Sequence, residues 1–150
     1  MKRYTFRLEP VLKVRKLKEE NCRMELGKLI TEMVKIDNQL VHDRGEIDIF
    51  YAIQEENLKL GIRGGQLQAF PMMVSAKEAN IQSLLRDKKI LEQKITEKKQ
   101  ELALLRGELK VIENLKDKDY TDFRKAMNKE IDQKVEEQTQ NWLQHKERKV

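Results

Sequence analysis

Gly61-Ile62-Arg63-Gly64-Gly65, with Pro71 close behind, breaks a chain whose apolar residues otherwise recur at helical spacing. Ahead of the break, Leu26, Leu29, Met33, Ile36, Leu40, Ile47 and Phe50 step by three and four. Beyond it, Ile81, Leu84, Leu91, Ile95, Leu102, Leu105, Leu109 and Ile112 do the same. Such spacing keeps one narrow apolar seam on each helix, too narrow to fill a globular core and suited to a partner helix. Two seamed helices joined at a glycine-rich break predict an all-α fold, a long two-helix antiparallel coiled-coil hairpin.

The limits follow from local chemistry. Proline is tolerated in the first turn of a helix, so Glu9-Pro10 starts the first helix near residue 10. The expected layout is a single hairpin over 1–150, with a helix over about 10–60, a tip over about 61–71 and a helix over about 72–142. Gly27 and Gly45 read as tolerated defects, each costing about 1 kcal/mol relative to alanine. The Gly65–Pro71 stretch is expected to form a turn of helix across the tip, and Trp142–Val150 to fray.

In an antiparallel pair, facing residues have numbers with a constant sum. A sum of 131 sets Leu26 against Leu105, Leu29 against Leu102, Leu40 against Leu91, Phe50 against Ile81 and Cys22 against Leu109. It also makes Asp43 face Lys88, a lone polar pair of the kind that pins register. The seam itself allows slips of seven; that pair selects 131, whose midpoint lies between Gly65 and Gln66.

With the first helix starting near Pro10, residues beyond about 121 have only the short Tyr4–Glu9 lead as a neighbour. Phe123, Met127, Ile131 and Val135 continue an apolar stripe there, so an overhanging C-terminal helix offering a docking stripe is predicted. The step changes around Lys116–Tyr120, a stutter that unwinds a supercoil. Charge gathers at the same end: residues 1–18 hold seven Lys/Arg against Glu9 alone, and 142–150 hold three against Glu147. The whole chain carries +5, so 19–141 is slightly acidic. That end should be steered toward an acidic surface, a lipid headgroup layer or nucleic acid. Nucleic acid is the weaker partner, because the basic residues form a patch without interleaved exposed aromatics. At the tip, Phe50, Tyr51, Leu58, Leu60, Ile62, Leu67, Phe70, Met72 and Met73 exceed what a two-helix turn can bury. Phe50 and Leu67 are expected to pack together, with the remainder forming a docking face.

Catalytic equipment is missing from the sequence. Charged residues make up 38% and aromatics 5%, a long-helix composition. His42 and His145 have no metal-ligand spacing to each other or to Cys22, and Ser75 and Ser83 sit in no nucleophile motif. The glycines lack the Gly-Lys-Ser/Thr ending of a phosphate loop. No cofactor is expected. Cys22 reads as a small buried seam residue, in keeping with a reducing compartment. No run reaches membrane-spanning length, and the start lacks a signal-peptide core.

The opening Phe6-Arg7-Leu8-Glu9-Pro10-Val11-Leu12-Lys13-Val14-Arg15-Lys16-Leu17-Lys18-Glu19-Glu20 resembles the N-terminal signature of the flagellar export protein FliJ family. Chain length, the hairpin, the central Gly61-Ile62 and the pair Leu67 and Phe70 are similar to that family as well. The resemblance implies a non-enzymatic, rotary-stalk-like coiled coil of the flagellar type III export apparatus. It implies docking into the hexameric export ATPase, promotion of its ring form and turnover, and a link to the membrane export gate. Some members also escort chaperones of export substrates. Carried onto this chain, Lys13, Arg15, Lys16, Lys18, Phe123, Met127 and Ile131 become the ATPase-ring contacts, and Phe50, Tyr51, Phe70 and Met73 the export-gate contacts. The implied location is the cytoplasmic side of the inner membrane at the flagellar basal body, and the free protein is expected as an elongated monomer of 17.9 kDa. Two alternatives stand beside it: the equivalent stalk of a virulence secretion system, and a basic coiled-coil protein acting on nucleic acid.

Overall fold

A computed structural model of the chain describes residues 2–61 and 64–149, with 65–67 described as backbone alone. Two α-helices make up almost all of it: α1, Glu9–Leu60, and α2, Gly64–Glu147. No strand occurs among the described residues. The fold is all-α, a helical hairpin as the periodicity predicts.

Both ends of α1 have a chemical cause. At its start the Glu9 N–H donates to the Phe6 carbonyl at 3.2 Å and the Leu12 N–H to the Leu8 carbonyl at 3.0 Å. The Glu9 carboxylate lies in the first turn, where the helix dipole favours negative charge. At its finish Gly61 has φ 75°, the left-handed conformation that closes a helix and that glycine adopts without a Cβ penalty.

α2 starts earlier than the composition suggests. Helix resumes at Gly64, so the tip expected over 61–71 shrinks and Pro71 lies inside α2. Glycine in a helix costs only about 1 kcal/mol, and a helix-interior proline forfeits one hydrogen bond to the preceding turn. Neither is an absolute stop when the following residues pair with a neighbour. The turn of helix expected across the tip is therefore the beginning of α2. Ile62 and the Leu67 side chain, expected to help close the tip, lie outside the described residues.

The earlier start moves the register. Cross-helix pairs such as Arg15–Glu108, Glu25–Lys98, Asn80–Asp43 and Lys88–Asp37 have residue numbers totalling 123 to 125. The register is thus one heptad away from 131. Asp43 does not face Lys88; Lys88 pairs with Asp37 at 2.7 Å, and Asp43 is held by Lys77, Gln39 and Asn80. Cys22 does not reach Leu109; its thiol contacts the Lys98 carbonyl at 3.8 Å. A seam repeating every seven residues fits both registers, and the short connection between Leu60 and Gly64 selects the lower sum.

The chain divides into two compact units, Met1–Glu19 with Leu104–Val150, and Glu20–Ala103. In the second, Cys22, Leu40, Val74, Ile81, Leu91 and Leu102 form the buried seam, with Asp43 fully buried among them. In the first, Leu12 and Ile112 are buried and Glu19 joins them, neutralised by the Arg106 guanidinium at 3.2 Å. The non-helical lead packs along α2 in the same unit. Tyr4 stacks edge-on against Tyr120 at 5.0 Å and lies tilted against Phe123 at 5.3 Å. Its hydroxyl donates to Asp119 at 3.1 Å, and Lys2 reaches Glu130 at 3.9 Å.

Candidate functional site

Three surfaces carry the residues singled out from sequence. The first is the opening of α1 with its lead. Leu12 is 2% exposed, Arg15 donates to the Glu108 carbonyl at 2.8 Å, and Glu19 is buried against Arg106. Lys116 grips Glu9 at 2.8 Å and sits over the Phe6 ring at 6.0 Å. The hydrogen bond from Lys116 holds the Glu9 carboxyl below its usual range, against the opposing effect of burial. Phe6, Glu9, Leu12 and Glu19 of the opening motif are thus clamps that fasten the first turns of α1 to α2. Lys13, Lys16 and Lys18 are exposed and, among the described residues, have no ion-pair partner. Arg15 differs from them, being half-buried and already engaged.

The second surface is the stripe on the C-terminal part of α2. Phe123 is half-buried beneath Tyr4, and Met127 is half-buried. Ile131 is exposed, as is every described residue after it. The unaccompanied stretch therefore starts near Ile131 rather than near 121, because the lead runs alongside α2 as far as Glu130. Burial and the Asp119 contact raise the Tyr4 hydroxyl's pKa, with the charges of Asp119, Glu9 and Asp117 adding to the effect.

The third surface flanks the turn. Tyr51, Leu58, Leu60, Met72 and Met73 are exposed, while Phe50 and Phe70 are half-buried. Tyr51 and Met73 are the more available of the four residues expected to contact a gate. Val74, 7% exposed, closes the seam here, in step with Ile81, although Pro71 close before it masks the repeat in the sequence.

A polar cluster in the second unit was only half legible. His42, Asp43 and Glu46 bring ligand-type atoms within 4.8 Å of one another. The ammonium of Lys77 already occupies this cluster, bridging Glu46 and Asp43. Burial raises the Asp43 pKa, but hydrogen bonds from Gln39, Asn80 and Lys77 together lower it below the ordinary value. The cluster is thus a satisfied structural network. The spacing of Asp43, Glu46 and Lys77 contains it, yet the wrong register hid the pairing.

Fold and surfaces define a class: a two-helix scaffold with exposed cations and exposed apolar side chains, built to be touched. The model of the FliJ family, described as flagellar FliJ protein, matches residues 4–136. The chain belongs to that family and is a component of the flagellar protein export apparatus. The match begins at Tyr4, whose ring packs against Tyr120 and Phe123 of α2. No curated protein and no solved structure matches the chain. No helix among the described residues is long and apolar enough to cross a membrane.

Proposed function

We propose that this protein binds the hexameric ATPase of the flagellar export apparatus and raises its ATP turnover, while a second surface contacts the membrane export gate. Family membership over residues 4–136 supports the setting. The single observation that carries the ring contact is the set of exposed cations Lys13, Lys16 and Lys18, without ion-pair partners among the described residues, on residues 2–19, whose two acids, Glu9 and Glu19, are both neutralised internally. Ammonium groups without an internal counter-ion accelerate docking to an acidic wall. Ile131 extends the same contact with an apolar side chain; Arg15, Phe123 and Met127 support it from beneath. Tyr51 and Met73, with Phe50 and Phe70 behind them, form the gate contact. The chain acts as a cytoplasmic, peripheral component that performs no chemistry itself.

The test is ATP hydrolysis by the purified export ATPase with and without this protein. Lys13→Glu, Lys16→Glu and Lys18→Glu combined should abolish stimulation. Undiminished stimulation at physiological salt would contradict docking by charge.

A further inference from the structure

Residues 2–8 are held to α2 by side chains. Among the described residues, no backbone hydrogen bond joins this lead to α2; its carbonyls at Phe6 and Leu8 accept from Glu9 and Leu12 of α1. Tyr4 and Phe6 are half-buried, while Lys2, Arg3, Thr5, Arg7 and Leu8 are exposed, so two rings supply most of the lead's buried surface. The Lys2–Glu130 pair, at 3.9 Å with side chains 82% and 44% exposed, is screened by water and adds little. α1 is fastened more firmly. Leu12 is 2% exposed, Glu9 is gripped by Lys116 at 2.8 Å, and Glu19 is buried against Arg106. A segment with few buried apolar contacts opens at a lower free energy than the packed helix behind it. The lead can therefore lift away at Arg7–Leu8 while α1 stays paired.

The surface beneath the lead gives that opening a use. Tyr4 packs on Tyr120 and Phe123, and Lys2 lies beside Met127, Glu130 and Ile131 at a shallow hollow. Phe123 and Met127 are half-buried, whereas Ile131 and Val135, next along the same stripe, are exposed. We infer that the lead is a releasable strap: in the free protein it occupies the stripe at Tyr120, Phe123 and Met127, and a partner docking on Ile131 displaces it to reach them. Only the identity of that partner rests on the ring reading. Closure keeps a continuous apolar stripe out of water. It also scales the partner's affinity by the fraction of chains that are open.

The test has two arms, both on the full chain. The first needs no partner: Met127→Cys in a Cys22→Ala background is labelled with a maleimide dye under native conditions. Adding Tyr4→Ala should speed labelling by roughly tenfold. The same addition should leave labelling at Ile112→Cys unchanged, because Ile112 is buried under α1 rather than under the lead. Equal labelling at position 127 with and without Tyr4→Ala would overturn the strap, and so would parallel acceleration at position 112, which means that the hairpin itself opens. The second arm titrates the export ATPase. Tyr4→Ala should reach half-maximal stimulation at a lower concentration than the parent. Lys2→Cys with Glu130→Cys, in the Cys22→Ala background and tethered by a short bismaleimide, should need a higher concentration than the same chain untethered. Titration curves that neither change moves would overturn the competition. Absence of stimulation by every chain would count against the ring reading, and the labelling arm then decides the strap.

Discussion

Asp43 has no exposed surface, yet it is held ionised by three neighbours: Gln39 at 2.9 Å, Asn80 at 2.6 Å and Lys77 at 3.5 Å. A buried charge tolerates the loss of its counter-charge poorly, whereas a half-exposed pair is screened by water. Lys77→Met should therefore lower Tm more than Lys88→Met, whose partner Asp37 is half-exposed; thermal melts followed by circular dichroism compare the two. The pH dependence has the same origin. Glu9, Glu25, Asp43, Glu46 and Glu130 all titrate below their ordinary values in the folded state. A depressed carboxyl pKa means the unfolded chain binds more protons in that range. Its stabilisation is complete above the ordinary carboxylate value and is lost as pH falls through the folded value. Urea melts should show stability dropping as pH falls below about 4.5, with a shallower drop in Asp43→Asn. Among apolar residues, Leu12 carries most in its unit: Leu12→Ala should cost about 2–4 kcal/mol in denaturant unfolding, more than the same truncation at exposed Leu17.

At the scale of elements, helix identity was legible because apolar steps of three and four persist on both sides of the glycines. The start at Glu9-Pro10 and the end before Gly61 were legible for the same local reasons that hold in the fold. The register was not. A seven-residue repeat is unchanged by a seven-residue slip, so the choice fell to one pairing, Asp43 with Lys88, and to a tip drawn too long around Pro71. Both errors share a cause. Glycine and proline mark where a helix is costly, and only the left-handed φ of Gly61 marks where this one ends. Gly61→Ala should accordingly destabilise by about 1 kcal/mol from backbone strain alone, since no atom crowds the added methyl. Gly107→Ala inside α2, also in open space, should stabilise by up to about 1 kcal/mol. Opposite signs for two identical substitutions would be visible in one pair of melts. The exposure of Lys13, Lys16 and Lys18 is legible in the sequence, whereas the engagement of Arg15 with the Glu108 carbonyl and of Phe123 with Tyr4 is not, because both depend on the register.

At the scale of the whole molecule, the proposed function works through surfaces, so each proposed partner should be separable by mutation. Tyr51→Ala with Met73→Ala removes exposed side chains without opening the seam, and should weaken export-gate binding in a pull-down while leaving ATPase stimulation intact. Loss of both activities together would assign those residues a folding role. All of these assignments presuppose that α1 and α2 pair within one chain in the observed register. The direct measurement is cysteine cross-linking in a Cys22→Ala background, comparing Leu29→Cys with Ile95→Cys against Leu29→Cys with Leu102→Cys. The account predicts a rapid bond between positions 29 and 95 within a monomer, and none between 29 and 102. Preferential bonding of 29 to 102, or bonds only between two chains, would contradict it.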